Sequence, residues 1–217
     1  MDEPEVDYLE LADWRRRISE LYAQVRAERD PASGHELWRA TREWLYREHP
    51  ASPVPAERRS TFRARHFPYD PAFRFEVPLI REQPAGPATA GESGSLGIRL
   101  PISTGAPRPF DRIGRLEVPF AAGPRPLALF WLPEYSGGLF LAFRDATNGR
   151  ETYGGGRYLL DTGKGSDLGG DPAAGTIVVD FNFAYQPSCA FDPRWSCPLA
   201  APENGLDIEI RAGERID

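Results

Sequence analysis

From Phe73 to Arg211 apolar residues recur at every second position, in eight short runs with no helical pattern between them. The runs are Phe73–Leu79, Leu96–Ile102, Arg115–Phe120, Leu127–Leu132, Leu139–Phe143, Arg157–Asp161, Thr176–Phe183 and Leu206–Arg211. A period of two sends alternate side chains to opposite faces of a strand. Strands that succeed one another without helices pair antiparallel and form a barrel or a sandwich. The turn chemistry agrees: Ala121–Ala–Gly–Pro124 joins two runs as a hairpin, and Asp145–Ala–Thr–Asn148–Gly149 is a further turn. Two longer stretches, Glu82–Gly94 and Thr162–Gly175, read as connectors or as lids over a mouth.

The chain before Phe73 follows a different period. Leu11, Trp14, Ile18, Leu21, Tyr22 and Val25 share one face of a helix over residues 8–29, opened by an Asp7/Glu10 capping box and ended by Asp30–Pro31. A second helix opens at Ser33/Glu36, carries Leu37, Trp38, Thr41, Trp44 and Leu45 on one side, and closes at His49–Pro50. His35 and His49, at its ends, read as surface or capping residues. The expected organisation is therefore mainly β: a helical hairpin over 1–50 packed on the body, a connector over 51–72, and an antiparallel β domain over 73–217. The connector is locally basic at Arg58–Arg59 and Arg63–Ala–Arg65–His66. That pattern reads either as a solvated face or as a rim that faces an anion.

Charge and hydropathy narrow the function classes. The formal net charge is −6, which argues against general nucleic-acid binding. The longest apolar run, Leu127–Leu132, is too short for a bilayer. The acidic start Met1–Asp–Glu–Pro–Glu5 leads into no apolar run, so no signal peptide is expected. These features predict a cytoplasmic protein with reduced thiols. No cofactor and no metal are expected, and the oligomeric state is open.

The densest chemistry lies between Asp180 and Asn204. In the run Thr176–Phe183, Ile177, Val179, Phe181 and Phe183 share one face, and Asp180 and Asn182 share the other. That polar face reads as solvated or as the lining of a pocket. After Ala184 the alternation stops at Tyr185–Gln–Pro187, Phe191–Asp–Pro193 and Cys197–Pro198. Each Pro restricts its own φ and its predecessor, so the segment is irregular but ordered. Cys189 and Cys197 are the two cysteines. Four readings stand: two small buried hydrophobes, a disulfide, a zinc site, or a catalytic thiol at Cys189. Further upstream, Gly154–Gly–Gly156 permits a strand bulge, a barrel corner, or close backbone approach to a ligand. It lacks the helix and the Gly-Lys-Ser/Thr pattern of a phosphate cradle.

Tyr153–Gly–Gly–Gly–Arg–Tyr158, Asp180–Phe–Asn182, Ala184–Tyr185, Pro187–Ser–Cys189–Ala, Ser196–Cys197–Pro198, Glu203–Asn204 and Ala212–Gly–Glu214 together resemble the bacterial family termed domain of unknown function 1684. The resemblance covers nearly the whole chain and implies a β-rich bacterial globular domain, with no activity to carry over. Gln186, Phe191 and Ala201 depart from the family's usual Asn, Tyr and Pro. The motif residues predict a small-molecule pocket lined by Tyr153, Arg157, Asp180, Asn182, Tyr185, Glu203 and Asn204. In that reading Arg157 holds an anionic group, Asn182 and Asn204 orient the ligand, and Asp180 or Glu203 is the general base of any reaction. A buried network with Arg157 paired to Asp180 or Glu203 explains the same residues without a ligand. Two further readings are thiol chemistry at Cys189 activated by Arg157, and a partner-binding module using the Trp-rich hairpin.

Overall fold

The computed structural model describes residues 7–82, 96–133, 135 and 137–216. Helix α1 (Tyr8–Ala27) starts where expected: the Asp7 carboxylate accepts from the Leu9 and Glu10 amides. Helix α2 (Pro31–Glu48) starts earlier than Ser33. The Asp30 side chain accepts from the Ala32 and Ser33 amides, and Pro31 occupies the first turn. Proline loses nothing there, because its missing amide hydrogen would have no helical partner. The Asp–Pro pair therefore opens α2 rather than ending α1.

Trp38 Nε1 donates to the Tyr22 hydroxyl at 3.1 Å, tying the two helices together. The buried face of α2 runs through His35, Trp38, Arg42, Leu45 and Tyr46. That is one step round from the expected Trp38–Trp44 face. Trp44 is 47% exposed, with the Arg17 guanidinium 5.4 Å above its ring. His49 is the C-cap of α2, as the capping reading has it, but His35 and His49 are both buried, which corrects the surface reading. His35 stacks on Trp38, and His49 Nε2 lies 3.1 Å from the Asp13 carboxylate of α1.

The connector contains a short helix, α3 (Ala56–Arg59), and a two-residue strand, β1 (Arg65–His66). The main sheet follows: β2 (Arg74–Arg81), β3 (Leu96–Leu100), β4 (Arg108–Phe120), β5 (Gly123–Trp131), β6 (Leu139–Phe143), β7 (Arg157–Asp161) and β8 (Thr176–Asp180). All pairs are antiparallel, in the order β7-β6-β5-β4-β2-β8, with β3 on β4. β4 pairs β3 through Arg108–Arg112 and β2 through Gly114–Leu116. The sheet curls into a half-barrel. The chain beyond β8 returns to its far edge, where Tyr185 and Tyr158 exchange both backbone hydrogen bonds at 2.8 and 3.0 Å.

Alternation along the strands gives this sheet two apolar faces. Ala128, Phe130, Phe140, Ala142 and Tyr158 pack with α1, α2 and the two cysteines. Leu127, Leu129, Leu141, Phe143 and Leu159 pack with Leu206, Ile210 and Ala212. Burial on both faces explains the unbroken apolar run in β5.

Three elements differ from the sequence reading. β8 ends at Asp180, and Phe181–Phe183 forms a 3₁₀ turn. The Asp180 carboxylate accepts the Asn182 amide at 3.0 Å, an Asx turn that competes with the strand. Leu206–Arg211 is irregular chain, not a strand, and the last pairing is β9 (Glu214–Arg215) on β1. The Thr162–Gly175 stretch is pinned to the body: Val178 donates to the Gly169 carbonyl, and Arg26 of α1 to the Asp167 carbonyl. The other candidate lid, Glu82–Gly94, lies beyond Glu82 outside the described residues. Among the described residues no helix is long and apolar enough to cross a membrane.

Candidate functional site

The irregular 206–213 segment fills the half-barrel without a sheet ladder, so side chains must satisfy its peptide groups. Arg157 does most of this. Its guanidinium donates to the carbonyls of Ile210 (2.8 Å), Glu214 (3.2 Å) and Ala212. Its carboxylate partner is Asp145, at 3.5 Å, and both side chains are fully buried. The expected partners, Asp180 and Glu203, lie elsewhere. Burial pulls the Arg157 guanidinium down to about 10, against the pull of Asp145. Gly156 sets the entry to β7. Its φ is +96°, and a Cβ there would stand 2.6 Å from the Phe143 carbonyl oxygen. The glycine run thus lets two backbones approach.

Asn204 bridges two strands. Its amide nitrogen donates to the Ala128 and Ala142 carbonyls at 3.0 and 2.9 Å, and its oxygen accepts from the Ala128 amide at 2.7 Å. Among the described residues β5 and β6 pair directly only at Phe130–Phe140 and Trp131–Leu139. Asn204 therefore substitutes for the missing ladder. Asn182 does the same for the Tyr69–Asp70 turn, exchanging two bonds of 2.9 and 2.8 Å with the Asp70 backbone. Asp180 accepts from Asn182 and lies 3.8 Å from Arg74. Burial raises its carboxyl to about 6. Glu203 is solvent-exposed and pairs with Arg112 at 3.1 Å.

Tyr153 and Tyr185 lie near the cysteines and helices instead. Both cysteines are free and buried. The Cys189 amide donates to Cys197 Sγ at 3.3 Å, and the Tyr153 hydroxyl to Cys189 Sγ at 3.7 Å. Hydrogen bonds to Cys189 from Cys197, Ser103 and Tyr153 outweigh its burial and bring its thiol down to about 6. The same contact holds Cys197 protonated well above the usual thiol range. Cys197, not Arg157, is the main group acting on Cys189. Tyr185 lies beneath the Arg42 guanidinium, 4.5 Å from its ring.

The seven expected residues therefore divide among several local networks, with Asp180 and Asn182 bonded to each other, Arg157 and Asn204 on backbone carbonyls, and Glu203 on Arg112; a different cleft carries the cationic groups. A cavity of about 470 Å³ opens between the connector, the Gln186–Phe191 segment and β9. Arg58, Arg63, Arg65 and Arg215 stand on its walls, and Gln186 lines it too. Arg65 and Arg215 are direct cross-strand partners. Arg58 donates only weakly to the Phe191 carbonyl, at 3.4 Å, and Arg63 to its neighbour Phe62. Arg215 Nε is buried without a hydrogen-bond partner. The floor is neutralised: Glu214 accepts from Arg42 (2.8 Å), Tyr46 (3.0 Å) and the Gln186 amide (2.8 Å). The basic connector signalled this cleft in the sequence. Arg42, Asp145 and Arg215, spread through chain of mixed charge, gave no such signal.

A curled antiparallel half-barrel, buttressed by two N-terminal helices and carrying an arginine-lined cleft, defines the class of the molecule. The chain belongs to the family described as protein of unknown function (DUF1684), whose model matches residues 62–215. A similar solved structure is the solution NMR structure of an uncharacterized protein of Haloarcula marismortui. It is 29% identical, with a TM-score of 0.58, over 84% of this chain and 92% of that one. No curated protein matches the chain.

Proposed function

We propose that the protein binds a small anionic molecule, a phosphate ester or a carboxylate of metabolite size, in the arginine cleft. The observation that carries this reading is the charge state of the walls. Arg58, Arg63 and Arg215 line one cavity, and none of them has a carboxylate partner among the described residues. Arg65 and Arg215 stand opposite each other in the β1–β9 pair, so the wall they share is cationic. Arginine forks match phosphate and carboxylate oxygens in pairs. A volume near 470 Å³ suits a compact metabolite. The ligand class stays as the sequence suggested; the holding residues become those of the connector and β9. We place the protein in the bacterial cytoplasm, where paired thiols remain reduced.

The test is calorimetric titration with inorganic phosphate, a sugar phosphate and a dicarboxylate at low salt. Saturable binding to native protein, lost in the Arg58→Gln/Arg63→Gln double variant, supports the reading. Equal weak binding by both proteins overturns it.

A further inference from the structure

We propose that Cys189 and Cys197 form a redox couple in which a small hydroperoxide oxidises Cys189 and Cys197 then closes an intrachain disulfide. The pair is assembled by the fold. Cys189 sits in a single 3₁₀ turn, Ser188–Ala190. The intervening loop folds back, with Trp195 donating to the Asp192 carbonyl. The Ser103 hydroxyl then accepts from the Cys197 amide at 3.0 Å. This brings Cys197 Sγ onto the Cys189 amide at 3.3 Å. Two thiols in contact share a proton, so one can be thiolate while the other stays protonated. Tyr153, with its hydroxyl on Cys189 Sγ, supplies a further donor.

The surroundings favour a small oxidant. Each cysteine retains 8% exposure. Cys197 lines a separate cavity of about 230 Å³, walled by Trp14, Tyr158, Tyr185 and Trp195. Ser188, the neighbour of Cys189, lines the same cavity beside Cys197, so hydrogen peroxide or a short organic hydroperoxide reaches the Cys189 sulfur past these two residues; a peptide disulfide, which must align three sulfurs, does not. The Cys189 thiolate attacks the peroxide. An S–O bond forms, the O–O bond breaks, and the leaving alkoxide takes a proton from water to become an alcohol. Sulfur loses two electrons and the peroxide gains them. Cys197 sulfur then attacks Cys189 sulfur and displaces hydroxide. That hydroxide leaves as water with the Cys197 proton. The balance is two thiols and one hydroperoxide giving one disulfide, one alcohol and one water.

Reduced native protein is mixed with one equivalent of hydrogen peroxide, quenched, denatured, alkylated with iodoacetamide and weighed intact. The expected product has lost the mass of two hydrogens, takes up no alkyl group, and maps to a Cys189–Cys197 bridge. Cys197→Ser stops at the sulfenic acid, captured by dimedone. Cys189→Ser consumes peroxide about tenfold more slowly or worse, since it loses the thiol that Cys197 and Tyr153 activate, and burial still disfavours the thiolate of Cys197. Two thiols still fully alkylated after excess peroxide overturn the proposal. So does a chain-to-chain disulfide, or a Cys189→Ser variant that reacts as fast as native. Faster oxidation by glutathione disulfide than by peroxide overturns the assignment of the oxidant. The native-protein result stands even if a variant fails to fold.

Discussion

Arg157 and Asp145 grip the Ile210 peptide from its two ends: the guanidinium donates to its carbonyl at 2.8 Å, and the carboxylate accepts its amide at 2.6 Å. The two side chains also face each other at 3.5 Å with no exposure to solvent. A non-strand segment inside a barrel has this problem at every residue, and here one ion pair answers it for several. The wall of the arginine cleft depends on the same pair, since Arg157 also holds the Glu214 carbonyl.

Arg157→Lys keeps the charge but not the fork, so it cannot serve three carbonyls at once. Asp145 is left with a poorly placed partner. Loss of one member of a buried pair costs about 3–5 kcal/mol. Arg157→Met, which removes that member, should shift urea denaturation by that order, and Arg157→Lys by less but in the same direction.

Asn204 supports a sharper contrast. Asn204→Asp preserves shape and removes two donors, leaving a carboxylate against the Ala128 and Ala142 carbonyls that the amide nitrogen reached. Each unsatisfied buried group costs about 1–3 kcal/mol, more when charged. Asn204→Asp should therefore be less stable than Asn204→Ala at neutral pH, with the gap narrowing as the carboxyl protonates in acid. Thermal melts of both variants across a pH series read this directly.

Acid sensitivity should come from the rings around Trp38. Burial lowers both His35 and His66 from 6.5 to about 4. Between those values the unfolded chain binds two protons that the folded chain refuses, so stability falls as pH drops below 6.5. Asp180 acts in the opposite sense. Burial raises its carboxyl from 3.8 to about 6, so the penalty of a buried carboxylate fades as pH falls through 6. Two imidazoles outweigh one carboxyl, giving a net loss of roughly 2–3 kcal/mol between pH 7 and 5. His66→Phe should about halve the imidazole share of that slope in chemical denaturation. An unchanged slope would mean His66 titrates normally in the native state.

Much of this fold was legible because it rests on periodicity. β7, at Arg157–Asp161, and β6, at Leu139–Phe143, have the bounds that alternation sets. The failures lie where side chains replace backbone pairing. At Asp180 an Asx turn ends a strand whose apolar alternation continues to Phe183. At Leu206–Arg211 the same alternation belongs to a segment tied by Arg157 and Asp145. Motif residues were legible as special, but not for what they do. Asn182 and Asn204 offer a donor and an acceptor to a ligand or to a backbone alike, and only their three-dimensional neighbours distinguish these uses. The cleft was half legible: a basic connector is visible in sequence, its meeting with Arg215 is not.

The cleft arginines separate binding from stability. Arg58 and Arg63 are exposed, and each donates to a single backbone carbonyl, of Phe191 and Phe62 respectively. Replacing them with Gln breaks no ion pair among the described residues, and surface changes of this kind usually stay within about 0.5 kcal/mol. A charge-assisted hydrogen bond to an anion contributes about 1.5–3 kcal/mol, so each substitution should weaken phosphate binding by roughly tenfold or more. Raising salt should weaken native binding in the same direction, because the groups are solvent-facing. Arg112→Gln is the control. It removes a guanidinium that pairs with Glu82 and Glu203 on the sheet, so it should lower stability modestly and leave phosphate affinity where it was. If Arg112→Gln weakens binding as much as Arg63→Gln does, the anion is responding to net charge and not to the cleft.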